Sequence, residues 1–155
     1  ITDKTPLNYQ FLGLLAASLP KAKFLHIRRN PIDTCLSVYM MVYTKPPLFA
    51  HSQENIVYAY REYLRLMEHW RHVMPEDALL EVDYEQLVDS QEETTRQIIS
   101  FLGLDWDDAC LRPESNQTAV RTPSMMQVRQ AVYKTSKERW KNYEPWLGAL
   151  LELRR

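Results

Sequence analysis

The segment that most constrains the fold is residues 23–39, with the sequence KFLHIRRNPIDTCLSVY. Its apolar run at positions 24, 25 and 27 is typical of a buried strand in a parallel sheet. Asn30 can cap a following helix, Pro31 suits its first position, and Asp33 places an acid in its first turn. The pattern therefore predicts a strand, a tight turn and a helix, in that order.

Two arginines, Arg28 and Arg29, are predicted to lie where this strand ends, which is the edge at which open α/β sheets bind ligands. Ser37 follows Asn30 by about two helical turns and returns to the same helix face. A guanidinium and a hydroxyl together suit a phosphate. Neighbouring strand residues point to opposite faces, so we expect one arginine to face the site, and the spacing to Ser37 selects Arg29. The alternative is an ordinary turn and helix start without a ligand.

Four motifs, taken in order, resemble the sulfotransferases that use 3′-phosphoadenosine 5′-phosphosulfate (PAPS) as sulfuryl donor. The similarity is greatest to bacterial sulfotransferases often joined to tetratricopeptide repeats, and more distant to the tyrosylprotein sulfotransferases. The C-terminal motif of the cytosolic small-molecule enzymes is missing. The four motifs are Asp3-Lys4-x-Pro6; Arg29-Asn30-Pro31-x-Asp33 with Ser37; Asp83-Tyr84-Glu85-x-Leu87; and Thr122-Pro123-Ser124 through Gln127-Val128-Arg129-Gln130 to Trp140.

The resemblance implies roles for individual residues. Arg29 and Ser37 would bind the 3′-phosphate, Tyr84 would lie against the adenine, and Lys4 would stand near the transferring sulfuryl group. Residues of the last motif would cross the nucleotide and add phosphate contacts: Ser124, Gln127, Val128, Arg129 and Arg139. From the residues alone, Lys4 could equally be a solvated lysine, Tyr84 a cap on the core, and the last motif an exposed basic turn.

The resemblance also implies an α/β fold of three layers, a parallel sheet flanked by helices and related to the P-loop nucleoside kinases. Only three glycines are present, Gly13, Gly103 and Gly148, and they are scattered. A loop that cradles a phosphate needs clustered glycines. We therefore expect residues 1–155 to be the C-terminal part of a single sulfotransferase domain. The 5′-phosphosulfate loop and the general base would lie upstream of these residues. A further domain or repeats could precede the sulfotransferase domain.

Composition narrows the function classes. A net charge of −1 argues against a nucleic-acid binder. No apolar run approaches the ~20 residues of a membrane helix, and no signal peptide is visible, so we expect a bacterial cytoplasmic protein without a membrane span. Cys35 and Cys110 offer neither a disulfide framework nor metal spacing. The acids at positions 105, 107 and 108 are expected to be solvated or capping, so no metal is expected.

Periodicity predicts the other elements. The stripe of apolar and aromatic residues over 54–74 predicts a long helix with a buried face, and a histidine inside the first strand, His26, is expected to be a satisfied core group. Ser90 and Glu93 have the spacing of a capping box. The remaining predictions are helices over 5–19, 31–43 and 145–153, the last packing Trp146, Leu150 and Leu153, and a second strand over 78–82.

The predicted reaction is transfer of a sulfuryl group from PAPS to an acceptor hydroxyl or amine, which leaves adenosine 3′,5′-bisphosphate. The partners would be this nucleotide and an acceptor, either a small molecule or a protein. Since a cradle loop and a base are not found in the sequence, we expect residues 1–155 alone to be inactive. Two alternatives stay open: a catalytically inactive nucleotide-binding domain, and a helical protein-interaction module that no nucleotide would stabilise.

Overall fold

A computed structural model describes residues 1–43, 45–116 and 130–154. The described chain contains two strands, β1 (Phe24–Arg28) and β2 (Leu79–Asp83). Its α-helices are α1 (Leu12–Ser18), α2 (Pro31–Met40), α3 (Gln53–Val73), α4 (Tyr84–Asp89) and α5 (Gln91–Phe101). Short 3₁₀ helices span Pro6–Phe11, Asp108–Leu111, Pro113–Ser115, Arg139–Trp146 and Gly148–Leu153.

The two strands form a small parallel sheet. Phe24 lies opposite Leu79 and Arg28 opposite Asp83, so the carboxyl ends of both strands meet at one edge. The connection from β1 to β2 runs through α2 and α3. An α/β arrangement with a parallel sheet and flanking helices, which the sequence predicts, is therefore confirmed.

The exposure of side chains on the two faces of β1 differs from the prediction. Phe24, His26 and Arg28 are half-buried, whereas Leu25 is 39% and Ile27 is 44% exposed. The prediction of a continuous buried run is therefore wrong for Leu25 and Ile27, since a strand's alternate side chains point to opposite faces. On the same face as Ile27, its partner Val82 in β2 is buried at 3% exposure, so that face is covered at β2 but not at β1.

The core lies between α2, α3 and the C-terminal 3₁₀ helices. It joins Ile32 and Leu36 of α2 to Ile56 of α3, and Leu147, Leu150 and Leu153 complete it. Trp146 is 71% exposed, so its predicted burial is wrong, whereas Leu150 and Leu153 are buried as predicted. The reason is that this region forms two successive 3₁₀ helices, Arg139–Trp146 and Gly148–Leu153, and a spacing of three residues places 147, 150 and 153 on one face.

Helix α3 carries the predicted stripe. Ile56 and Met67 are fully buried, and Tyr60, Tyr63, Trp70 and Met74 are half-buried. Trp70 Nε1–H donates to the carbonyl oxygen of Tyr9 at 2.7 Å, which ties the N-terminal segment to α3. A Cβ at Gly13 would lie 2.8 Å from the Trp70 ring, so glycine permits this approach. The single helix predicted over 5–19 is instead the 3₁₀ helix Pro6–Phe11 followed by α1.

The two ends of α5 can be compared with the capping patterns that the sequence predicts. Gly103 follows α5 with φ +66°, the left-handed conformation that suits glycine after a helix. Ser90 precedes α5, but its side chain makes no capping hydrogen bond, so the predicted capping box is not formed. In the part of the chain that the structure describes, no helix has the length and apolar character of a membrane span.

Candidate functional site

The turn between β1 and α2 is fixed from both sides. The Asn30 side-chain oxygen accepts the backbone N–H groups of Ile32 at 3.0 Å and Asp33 at 3.1 Å. The backbone N–H of Asn30 donates to Glu85 Oε1 at 2.9 Å, across from the start of α4. The predicted cap and the predicted Pro31 at the first helical position are therefore confirmed. The bond to Glu85 locks this turn to the turn after β2.

Arg29 lies at the centre of the site, with its side chain 25% exposed. Its Nη2 donates to the carbonyl oxygen of Ser136 at 2.5 Å. Its guanidinium carbon lies 5.2 Å from the centre of the Tyr84 ring, within cation–π range. The structure thus brings together two residues that the resemblance assigns to one nucleotide. They come from the ends of two neighbouring strands.

Asp33 is the buried acid of the site and is 2% exposed. Its Oδ1 accepts the backbone N–H of Trp140 at 2.9 Å and lies 4.0 Å from Arg29 Nη2. Burial raises the pKa of this carboxyl, and the N–H of Trp140 and the charge of Arg29 oppose that rise. Asp33 therefore joins the start of α2 to a segment more than a hundred residues further along the chain.

A cleft of about 610 Å³ opens beside this turn. That volume lies in the range of small-molecule sites. Four cations, three acids and two tyrosines of α3 are part of its lining, so the cleft has mixed charge. The lining residues are Arg28, Arg29, Asn30, Pro31, Tyr60, Tyr63, Leu64, Arg71, Asp83, Glu85, Gln86, Lys137 and Glu138.

Both arginines line the cleft, whereas strand alternation predicted that one would. Arg29 lies beyond the last residue of β1, so the alternation of a strand does not apply to it. The two differ in their partners. Arg28 is paired with Asp83 at 3.0 Å and is 3.7 Å from Glu81. Arg29 donates to a neutral carbonyl instead, so its charge is less completely satisfied.

A hydrogen-bonded chain lies under the cleft. His26 Nδ1 is 2.7 Å from Glu81 Oε1, and His26 Nε2 is 2.6 Å from the Tyr63 hydroxyl. A carboxylate can only accept, so Nδ1–H donates to Glu81 and, in the neutral ring, Nε2 accepts from Tyr63. Burial lowers the pKa of His26, although Glu81 opposes that effect. Arg71 Nε donates to Glu81 Oε2 at 2.8 Å and completes the chain. His26 is thus a satisfied group.

Four of the predicted site residues that the structure describes lie outside the cleft lining. Tyr84 is half-buried, between two residues that do line it, Asp83 and Glu85. Lys4 is exposed, directly before the 3₁₀ helix Pro6–Phe11. Ser37 is exposed on α2. Arg139 is exposed and lies against Tyr143, with 5.7 Å from its guanidinium carbon to the ring centre. Their assigned roles stay predictions, as do those of Ser124, Gln127, Val128 and Arg129, which fall outside the described residues.

Sequence reasoning missed the partners that come from far along the chain. Glu85 belongs to the quoted motif after β2, but no local pattern indicates its bond to the Asn30 backbone. Lys137 reaches the cleft and pairs with Asp89 at the end of α4. Trp140 was only the end point of a motif, whereas its backbone N–H anchors Asp33. These contacts require the tertiary fold.

The turn, the cleft and the parallel sheet define a protein of the α/β class with two arginines at the sheet edge. A model of the sulfotransferase family matches residues 1–108, about seven tenths of the chain. The chain belongs to that family.

Two of three similar proteins carry sulfotransferase names. An uncharacterized protein of Aquifex aeolicus is 32% identical over 99% of this chain. A protein-tyrosine sulfotransferase of Drosophila melanogaster is 28% identical over 74% of it. An omega-hydroxy-beta-dihydromenaquinone-9 sulfotransferase of Mycobacterium tuberculosis is 26% identical over 74% of it. The chain spans 20%, 23% and 31% of the length of these three relatives, respectively.

Proposed function

We propose that this chain supplies the 3′-phosphoadenosine half of a PAPS site, in an enzyme that transfers a sulfuryl group to an acceptor hydroxyl or amine. The observation that carries the proposal is the position of Arg29. It lies at the carboxyl end of a parallel strand, beside a capped helix and 5.2 Å from the Tyr84 ring. A cation next to an aromatic ring at this edge suits a phosphate linked to a base.

The 3′-phosphate is assigned to Arg29. In the structure Arg29 donates to the neutral Ser136 carbonyl. A hydrogen bond to a charged group stabilises by ~1.5–3 kcal/mol, against ~1 kcal/mol for a neutral one. A phosphate can therefore displace this carbonyl. The ten-residue helix α2 begins beside Arg29 and favours an anion there through its dipole, and the exposed Ser37 hydroxyl is assigned a second, weaker bond.

The adenine is assigned to Tyr84. This residue is half-buried and opens α4, immediately after β2. Arg29 lies over its ring, and the base would stack on the opposite face. Stacking on an aromatic ring contributes ~1–3 kcal/mol and tolerates any base, so specificity would come from the phosphate contacts. Ser124, Gln127, Val128, Arg129 and Arg139 are proposed to complete the nucleotide site.

The transfer itself is proposed to be an in-line displacement, in which positioning and charge stabilisation do most of the catalytic work. The acceptor oxygen or nitrogen bonds to sulfur, the bond from sulfur to the 5′-phosphate breaks, and the electron pair goes to the bridging oxygen. Lys4 is assigned to stabilise that charge. The acceptor's proton would go to a base upstream of residue 1, in the part of a P-loop kinase-like domain that also holds the 5′-phosphosulfate loop.

The test compares adenosine 3′,5′-bisphosphate with adenosine 5′-monophosphate by calorimetry on the complete enzyme. Arg29→Ala should remove ~1.5–3 kcal/mol of binding free energy for the bisphosphate, and Ser37→Ala about 1 kcal/mol. Neither should much affect the monophosphate. Arg65→Ala is the matched control, because Arg65 is an exposed arginine paired with Glu62 on α3.

Two results would contradict the assignment. Arg29→Ala could weaken both nucleotides equally, which would remove the specific role in 3′-phosphate recognition. Alternatively, Arg28→Ala alone could abolish the discrimination between them. If neither nucleotide binds or stabilises the wild-type enzyme, the nucleotide site itself is wrong and the protein-interaction module is favoured.

A further inference from the structure

The unusual feature of the site is a buried carboxylate that is held by backbone N–H groups from far along the chain. Asp33 is 2% exposed, and its Oδ1 accepts from Trp140. Its Oδ2 is buried and makes no hydrogen bond of regular geometry among the described residues, although the backbone N–H of Glu138 also favours the ionised carboxyl. Burying a charged group without full pairing is unfavourable. Burial also raises the pKa of this carboxyl, which means that the fold disfavours the ionised form.

Anchoring alone does not require this charge. An asparagine is nearly the same size and offers an oxygen that can accept the Trp140 N–H. It would not carry the desolvation penalty of a carboxylate. A residue that lowers stability where a neutral one would serve points to a function for its charge.

The charge of Asp33 acts on Arg29. Arg29 Nη2 is 4.0 Å from Asp33 Oδ1, too long for a hydrogen bond but close enough for a substantial attraction in a partly buried site. Arg29 Nε is itself buried with no partner among the described residues. Asp33 thus attracts the guanidinium without occupying its donors.

Arg28 provides the contrast. Its guanidinium contacts Asp83 at 3.0 Å, so an incoming phosphate would have to compete with a carboxylate. The oxygen of Asp33 nearest to Arg29 is already engaged by Trp140. The same backbone bond holds residues 136–140 across the start of α2, where the Ser136 carbonyl receives Arg29.

We propose that Asp33 is a positioning residue for phosphate recognition, which orients the Arg29 guanidinium toward the cleft and anchors Trp140 without touching the ligand itself. This inference rests on the proposed nucleotide site and deepens it. It assigns the 3′-phosphate selectivity to a pair, in which Arg29 makes the contact and Asp33 sets its position.

The test is Asp33→Asn in the complete enzyme, titrated with the same two nucleotides. Affinity for adenosine 3′,5′-bisphosphate should fall about tenfold, which corresponds to ~1.4 kcal/mol, and affinity for the monophosphate should change less than about twofold. The melting temperature at pH 7 should stay the same or rise, because the buried charge is gone and the bond to Trp140 is kept. Loss of affinity without loss of stability is the expected signature.

Asp107→Asn is the matched control. Asp107 is an aspartate whose side chain accepts the Ala109 N–H at 2.8 Å at a helix start, and it does not line the cleft. Its exchange should leave the ratio of the two affinities unchanged. In the double variant with Arg29→Ala, Asp33→Asn should have no further effect on bisphosphate binding, because its influence passes through Arg29.

Each possible outcome either supports or overturns the positioning role of Asp33. A fall in melting temperature, or unfolding, with an unchanged affinity ratio would make Asp33 a structural anchor and overturn the proposal. An additive effect in the double variant would overturn it as well. If Arg29→Ala abolishes phosphate discrimination and Asp33→Asn does not, only this inference fails. If Arg29→Ala has no effect on discrimination, the proposed nucleotide site fails first.

Discussion

The turn after β1 and the N-terminal segment before α1 carry the two halves of the proposed chemistry, and the structure supports them very differently. In the turn, Asn30 bonds to Glu85 and Asp33 to Trp140, residues 55 and 107 positions away. Around Lys4, the Asp3 carboxylate accepts hydrogen bonds from Thr5 and Asn8, which lie within five residues of it. The proposed phosphate-binding turn is therefore held by the tertiary fold of this chain, whereas the hydrogen bonds next to Lys4 are local.

The difference between these two sets of hydrogen bonds indicates which half of the proposed function residues 1–155 can support alone. We expect a binding edge whose side chains are held by distant partners in the same chain to recognise an anion without residues from outside that chain. An exposed lysine gains its catalytic role only when a reacting group is placed beside it. Binding and turnover should therefore separate experimentally.

The largest expected effect is on turnover. Residues 1–155 alone should give no multiple turnover of PAPS with a broad panel of hydroxyl and amine acceptors. Loss of a phosphosulfate cradle or of a general base lowers rates by orders of magnitude. The measurement is sulfate transfer by these residues beside the complete enzyme. Robust turnover by residues 1–155 would contradict the distinction between the two regions.

The parts of the fold that the sequence predicted are those governed by neighbours along the chain. The Asn30 cap, Pro31 at the helix start and the α3 stripe follow from rules that span a few residues. Exposure of Trp146 was missed because a 3.6-residue period was applied where the chain forms a 3₁₀ helix. Exposure of Leu25 was missed because apolar character alone does not say which face of a strand is covered.

The residues of the candidate site also divide into those that a local sequence pattern marks and those that it does not. Arg29 was selected from a strand end, a helix cap and the spacing to Ser37, and the structure places it between β1 and the capped helix α2. Asp33 was read as a first-turn acid, which is correct locally but leaves out its bond to Trp140. A contact across 107 positions has no local signature, and its energy depends on burial that only the tertiary structure defines.

A smaller effect, on nucleotide affinity, is expected at Tyr84. Tyr84→Leu keeps apolar volume but removes the aromatic face, so nucleotide affinity should fall by ~1–3 kcal/mol. Tyr84→Phe keeps that face and should bind nearly as the wild type does. Calorimetry with adenosine 3′,5′-bisphosphate measures the first effect, and the melting temperature should change little in both variants. A large melting shift with unchanged affinity would make Tyr84 a core cap instead.

The smallest expected effect is a pH dependence of stability from the chain beneath the cleft. Burial lowers the pKa of His26, Glu81 opposes this, and Arg71 and Arg28 reinforce it. The unfolded chain has an ordinary imidazole with a pKa of ~6.5. As pH falls below that value, the unfolded state takes up the proton before the folded state does. His26 therefore makes the free energy of unfolding decrease with falling pH, and its contribution is complete above the unfolded pKa.

Replacing the imidazole tests this directly. His26→Gln removes the titrating ring, so the difference in unfolding free energy between wild type and variant should shrink as pH falls from 7.5 to 5. Urea unfolding at matched ionic strength measures it. The window avoids Glu81, because burial raises the pKa of that carboxyl but the hydrogen bonds from Arg71 and His26 outweigh it and lower the pKa overall. Its stabilising effect is therefore lost only in more acidic solution. Parallel curves for the two proteins would show that His26 does not control this dependence.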